Sequence, residues 1–339
     1  MRSILTVLLA FAAGALLMLW LPGHAPRPPL ANAINASAPA ASSEPASDAG
    51  SANDKPADDW PNNAPSPEQV LYAQPRMVRR ALAALTPRVA DRPNLYLVTF
   101  AGDGSEDVFR NEAEYAARLF AQRFGATAHT LVLENNPASL GTHPLASWSN
   151  LELALDGLAK LMHPEQDILM LYVTSHGDEA HDLLVDMDPL PLDQLGAADL
   201  AGILAEHRFP WKVVVVNACY SGGFIPPLQG PGTLVLTAAR SDRSSFGCGN
   251  DSDITYFGRA WLVDGLNHSA DFVTAFQQAR REIAGWEKRD GLTPSQPQIA
   301  IGSGISEQLA RWRKGFQAGP TLPFSAATPA TSSSAAQTP

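Results

Sequence analysis

The sequence predicts an α/β fold: a mostly parallel sheet covered by helices on both faces. Two apolar runs of strand length, within Asp167–Gly177 (DILMLYVTSHG) and Trp211–Gly223 (WKVVVVNACYSGG), lack the alternation of a half-exposed strand. Such runs belong to strands buried on both faces. Segments of helical period separate the strand-like runs along the chain, which is the βαβα order of a parallel sheet. Each of the two runs also ends abruptly in a polar residue capable of chemistry, His176 in one and Cys219 in the other. The carboxyl ends of the strands are where such sheets bind ligands.

The elements follow in order. Glu68–Leu85 reads as a helix interrupted near Pro75, and Asn94–Phe100 as the first strand. Glu106–Phe124 has helical spacing through Phe109, Ala113, Ala116, Ala117, Phe120 and Phe124, with Gly125 as its stop. A strand His129–Leu133 and a leucine-faced helix Leu145–Met162 precede the strand Ile168–Thr174. A short strand Asp182–Met187, a helix Pro191–Glu206 and the strand Val213–Val216 lead to Cys219. Beyond it lie a strand Thr233–Ala238 and two helices, Ile254–Leu266 and Ser269–Glu287, the second with Ser269 as N-cap. A strand Gln298–Ile301 and a helix Ile305–Phe316 close the series, and no internal repeat is present.

Composition divides the 339 residues into four parts. Residues 1–21 form an N-terminal anchor or signal, with an uncharged run of 18 residues from Ile4 to Leu21. That length lies between a secretory signal and a span of about 20 residues. An Ala31-Asn32-Ala33 cleavage pattern lies beyond several prolines, so an uncleaved anchor or export signal is expected, with the domain outside the cytoplasm. In a bacterium that means the cell envelope or periplasm. No Cys follows the run, which excludes a lipoprotein anchor. Residues 22–67 are an Ala/Pro/Ser-rich disordered linker, 68–317 the folded domain and 318–339 a disordered tail. A net charge of −10 without a Lys/Arg cluster argues against nucleic acid as a partner.

Beside Cys219 the only other cysteine is Cys248, and in an oxidising compartment a bridge between them competes with a catalytic thiol. A thiol that attacks a carbonyl needs a base or a lowered pKa, and donors aimed at the oxyanion that forms. His176 supplies the base. Gly177, lacking a side chain, lets its N–H approach a carbonyl, and the N–H of Cys219 is the natural second donor. The acidic stretch around His176 and His181 (Asp178, Glu179, Asp182, Asp186, Asp188) offers metal ligands. The five-residue spacing of the two histidines fits neither a helical nor a strand pair, so it reads as a solvated loop. No G-x-S-x-G elbow points to a serine hydrolase.

Four blocks in order resemble the legumain-type cysteine peptidases, which include the catalytic subunit of the glycosylphosphatidylinositol transamidase and are relatives of the caspases. The blocks are Phe109–Glu114 (FRNEAE), Thr174-Ser175-His176-Gly177, Asn217–Gly222 (NACYSG) and Leu236–Cys248 (LTAARSDRSSFGC). The resemblance implies a caspase-like fold, His176 and Cys219 as a catalytic dyad, and a thioester acyl-enzyme. It also implies an oxyanion hole from the amides of Gly177 and Cys219, a protein or peptide substrate, and no metal or organic cofactor. The family's acidic residue after the nucleophile is Tyr220 here, Asn111 stands for a pocket histidine, and Arg259 stands for an Asp. Arg110, Tyr220, Ser244 and Arg259 are therefore the expected specificity-pocket residues, with Arg110 and Arg259 together favouring an acidic side chain before the scissile bond. A cysteine endopeptidase is the expected activity. A transamidase using the same dyad and a non-catalytic scaffold are the alternatives.

Overall fold

The computed structural model describes residues 60–249 and 251–326. The expected anchor at 1–21, the linker up to residue 59 and the tail after 326 lie outside the described residues. Among those described, no helix is long and apolar enough to cross a membrane.

The elements are α1 (Pro67–Ala83), β1 (Leu95–Ala101), α2 (Asp107–Phe124), β2 (Ala128–Glu134), α3 (Trp148–Leu161), β3 (Ile168–Thr174), β4 (Asp182–Leu183), β5 (Leu195–Gly196) and α4 (Ala197–Ala205). Then come β6 (Lys212–Asn217), α5 (Ile225–Leu228), β7 (Thr233–Thr237), α6 (Tyr256–Gly258), a π-helix (Arg259–Leu266), α7 (Phe272–Asp290), β8 (Gln298–Ile301) and α8 (Ile305–Arg313). The main sheet runs β2-β1-β3-β6-β7-β8, parallel except for β8, which is antiparallel to β7. β3 and β6 are buried along almost their whole length, as their unalternating sequences require.

Successive strand residues feed two separate cores. Leu95, Leu97, Met170, Tyr172, Val213, Val215, Leu234 and Leu236 pack under α2, the π-helix, α7 and α8. Their neighbours Tyr96, Val98, Leu169, Leu171, Val214, Val216 and Val235 pack under α1, α3 and α4. The period of two along a strand thus becomes two covered faces.

Several boundaries differ from the sequence expectation. α1 runs unbroken through Pro75, started by a Ser66–Gln69 capping box and Pro67 in its first turn. Burial of Val70, Met77 and Val78 outweighs the one hydrogen bond that proline forfeits. The strand expected over 182–187 is only Asp182–Leu183, because the backbone of Asp186 bonds instead to Gly102 and Gly104 in the loop after β1. Residues 191–194 are not helical: Gln194 reaches back to both backbone groups of Val185, and the helix starts only at Ala197. Asp271, not Ser269, caps α7, accepting from the Thr274 amide at 2.9 Å.

The folded domain also extends past its expected ends. On the N-terminal side, Trp60 and Ala64 pack against Val70, Leu140 and Met187. On the C-terminal side, residues 318–326 are no free tail: Leu322 exchanges two hydrogen bonds with Asn267, and Phe324 lies edge-on to Tyr115.

Candidate active site

His176 and Cys219 owe their positions to strand register. Thr174, the last residue of β3, pairs with Asn217, the last of β6, so the two residues each lie two positions beyond a matched pair of adjacent strand ends. The loops that carry them touch. A Cβ on Gly177 would lie 2.5 Å from the Cys219 carbonyl oxygen, so only glycine lets the two main chains approach this closely. Gly222 meets the backbone of Arg240 and Ser241 in the same way, a Cβ there falling 2.4 Å from the Ser241 nitrogen.

Beneath the strand ends lies a fully buried carboxyl group. Glu112 of α2 accepts from Tyr172 and Thr174 on β3, from Asn217 Nδ2 on β6 (2.7 Å) and from the Thr255 amide (2.8 Å). Asn217 Nδ2 reaches Thr255 Oγ1 as well, at 2.9 Å. Burial raises the pKa of Glu112, opposed by these hydrogen bonds.

Directly after Cys219, Tyr220 adopts the left-handed conformation, with φ 55°. This is uncommon for a non-glycine residue and turns the chain sharply just after Cys219. The turn is pinned from both sides: the Tyr220 amide donates to Arg243 O at 2.7 Å, and its hydroxyl reaches Glu179 at 3.4 Å.

The Cys219 thiol is half-buried and free, so the competing bridge to Cys248 is not formed. The Ser245 amide donates to Sγ at 3.2 Å, and the Ser245 hydroxyl lies 3.7 Å away. The pKa of Cys219 is lowered to about 5. The Cys248 thiol hydrogen-bonded to it is the largest cause; burial opposes the shift, while Ser245 and the charge of His176 add to it. Cys248 itself is raised, chiefly by serving as that donor.

His176 is set between α2 and the loop after β1. The ring of Phe109 meets it edge-on, with centroids 5.1 Å apart, and the carboxylates of Glu106 and Asp103 lie 3.4 and 3.6 Å from Nε2. These two acids sit some 70 residues upstream and escaped the sequence reading. Together with His176 they are one of two groupings among the described residues close enough to gather a cation, the other being Glu114, Glu134 and His143. The acidic loop after His176 enters neither grouping.

The expected specificity pocket is only partly assembled. Tyr220 stands at the rim, but Ser244 is exposed, and it is Ser245 that meets the thiol. Arg110 is buried, bonding Asn136 on the β2 side of α2. Arg259 is half-exposed and paired with Asp264 at 3.2 Å. Its charge acts on Tyr115 of α2. Arg110 and Arg259 are thus held by separate partners, Asn136 and Asp264. Asn111 likewise turns toward the carbonyl of Asp253.

Residues 152–307 match the Peptidase C13 family. The matched stretch holds His176, Gly177, Cys219, Tyr220, Ser245 and Cys248, but not Asp103, Glu106 or Arg110. The six-stranded, mostly parallel sheet flanked by helices agrees with the caspase-like fold of that family. No curated protein matches the chain.

Proposed function

We propose that this chain, whose residues 152–307 match the Peptidase C13 family, is a cysteine endopeptidase working through Cys219 and His176. One observation carries the reading: the thiol held below the ordinary range lies beyond a strand end that is in register with the strand delivering the histidine. At neutral pH such a thiol is largely thiolate, the nucleophilic form.

In the reaction Cys219 Sγ attacks the scissile carbonyl carbon. An S–C bond forms and the carbonyl π pair moves to oxygen, where the amides of Gly177 and Cys219 receive the charge. The thiol proton resides on His176. As the tetrahedral species collapses, the C–N bond breaks and His176 delivers that proton to the departing amine. Water then attacks the thioester, giving a proton to His176 as the C–S bond breaks, which restores the thiolate and the protonated ring. The uncharged run 4–21 and the Ala/Pro/Ser-rich stretch after it support action outside the cytoplasm.

The test is hydrolysis of a mixed peptide library by the full chain. Cys219→Ala and His176→Ala each abolish turnover and keep the thermal midpoint of the parent. Turnover that survives in Cys219→Ala overturns the assignment.

A further inference from the structure

The first turn of α2 carries more than packing residues. Glu106 occupies the N-cap position, yet its side chain makes no capping hydrogen bond. The carboxylate is turned toward His176 instead: its buried Oε2 has no hydrogen-bond partner and lies 3.4 Å from the ring nitrogen Nε2. Asp103 approaches the same nitrogen from the loop after β1. Its second oxygen is fixed by the Ser105 amide at 2.8 Å, and its backbone bridges to Asp186. One turn along α2, Phe109 stands edge-on to the imidazole at 80° and sets the plane of the ring.

We propose that Glu106, with Asp103 behind it, is the positioning residue of His176, the third part of a Cys–His–carboxylate arrangement. This rests on the cysteine-peptidase reading above. Carboxylates beside Nε2 favour the tautomer with its proton on that nitrogen, which leaves Nδ1 free to accept one. When that nitrogen takes a proton, the neighbouring negative charge stabilises the imidazolium. The loss of a conventional N-cap contributes nothing to helix stability, so the placement of Glu106 makes sense as service to the site. Burial and the Asp103 charge raise the Glu106 carboxyl, while the charge of His176 lowers it, as expected of an acid whose ionisation is tied to the ring. Cys219 beyond β6 feels the charge of the imidazole, and Cys248 packs against the cluster that holds Phe109.

The experiment compares Glu106→Gln, Asp103→Asn and the double variant, in the full chain, with the parent. Two readouts are used: kcat and KM against pH, and the rate of Cys219 alkylation by iodoacetamide against pH. Glu106→Gln lowers kcat on the order of 10- to 100-fold with KM nearly unchanged. The alkaline limb of kcat/KM moves to lower pH, because a ring without its counter-charge gives up its proton sooner, and the double variant moves further than either single one. Glu106→Asp recovers part of the loss. Parent-like kcat and pH profiles in the double variant overturn this inference and leave the roles of Cys219 and His176 intact. So does an activity loss that merely follows a fall in thermal midpoint with an unshifted profile. Turnover persisting in Cys219→Ala would instead remove the earlier reading, whatever Glu106 does.

Discussion

The Cys219 sulfur is approached by donors that all come from one loop. Ser245 supplies an amide and a hydroxyl, and Cys248, three residues on, supplies a thiol. Cys248 is the largest influence, so Cys248→Ala moves the midpoint of the alkylation–pH profile up from about 5 toward the ordinary thiol value of about 8.5. An unmoved midpoint would mean that Ser245 and His176 alone hold the thiolate. Gly177→Ala tests the contact between the two loops. A methyl 2.5 Å from the Cys219 carbonyl forces the chains apart, costing about 1–3 kcal/mol in unfolding free energy and lowering turnover more than KM. At this scale the placement of His176, Gly177 and Cys219 just beyond paired strand ends was legible because a strand end fixes where its next residues emerge. Ser245 and the carboxylates were not. A loop has no period to set its register, and Asp103 and Glu106 arrive by tertiary folding from a different strand.

At the scale of elements, the Glu112 carboxyl joins α2 to the ends of β3 and β6 and to the turn before α6. Glu112→Ala strands the buried donors of Tyr172, Asn217 and Thr255, and costs about 3 kcal/mol or more by denaturant unfolding. The sign of its pH effect follows from burial. A carboxyl raised in the folded state keeps its proton longer there than in the unfolded chain. Its stabilising share is complete below the unfolded value of about 4.3 and is lost as pH climbs through the higher folded one. Glu112→Gln, which cannot ionise, flattens that part of the stability–pH curve; an unchanged slope would place the dependence elsewhere. The strands were the easiest elements to read, since unbroken Val/Leu runs admit few alternatives. The strand expected over 182–187 and the helix expected from 191 both begin or end elsewhere because the backbone there is claimed by Gln194 and by the loop after β1.

For the whole molecule, the sheet with helices on both faces was visible in the βαβα order, but the limits of the domain were not. Composition marks Pro/Ala/Ser-rich ends as linker, yet a few apolar residues within them suffice for docking: Trp60 at one end, Leu322 and Phe324 at the other. A chain ending at Gln317 loses the two Leu322–Asn267 hydrogen bonds and the one from Tyr115. At about 0.5–1.5 kcal/mol each, their loss lowers the melting temperature by roughly 4–10 °C in calorimetry. A truncated chain that melts with the parent would show the segment to be passive.

The seam at Gly177 and Gly222 carries one more consequence. Where main chain lies directly on main chain, no substitution can add a side chain at the seam without breaking it. Any attempt to redirect the protein toward new peptides must therefore work on the rim, at Tyr220, Arg243 and Ser244, whose side chains retain some exposure. Selectivity and bond-breaking thereby fall to different kinds of atoms, side chains for the one and backbone-braced groups for the other, and the first can be rewritten while the second is left alone.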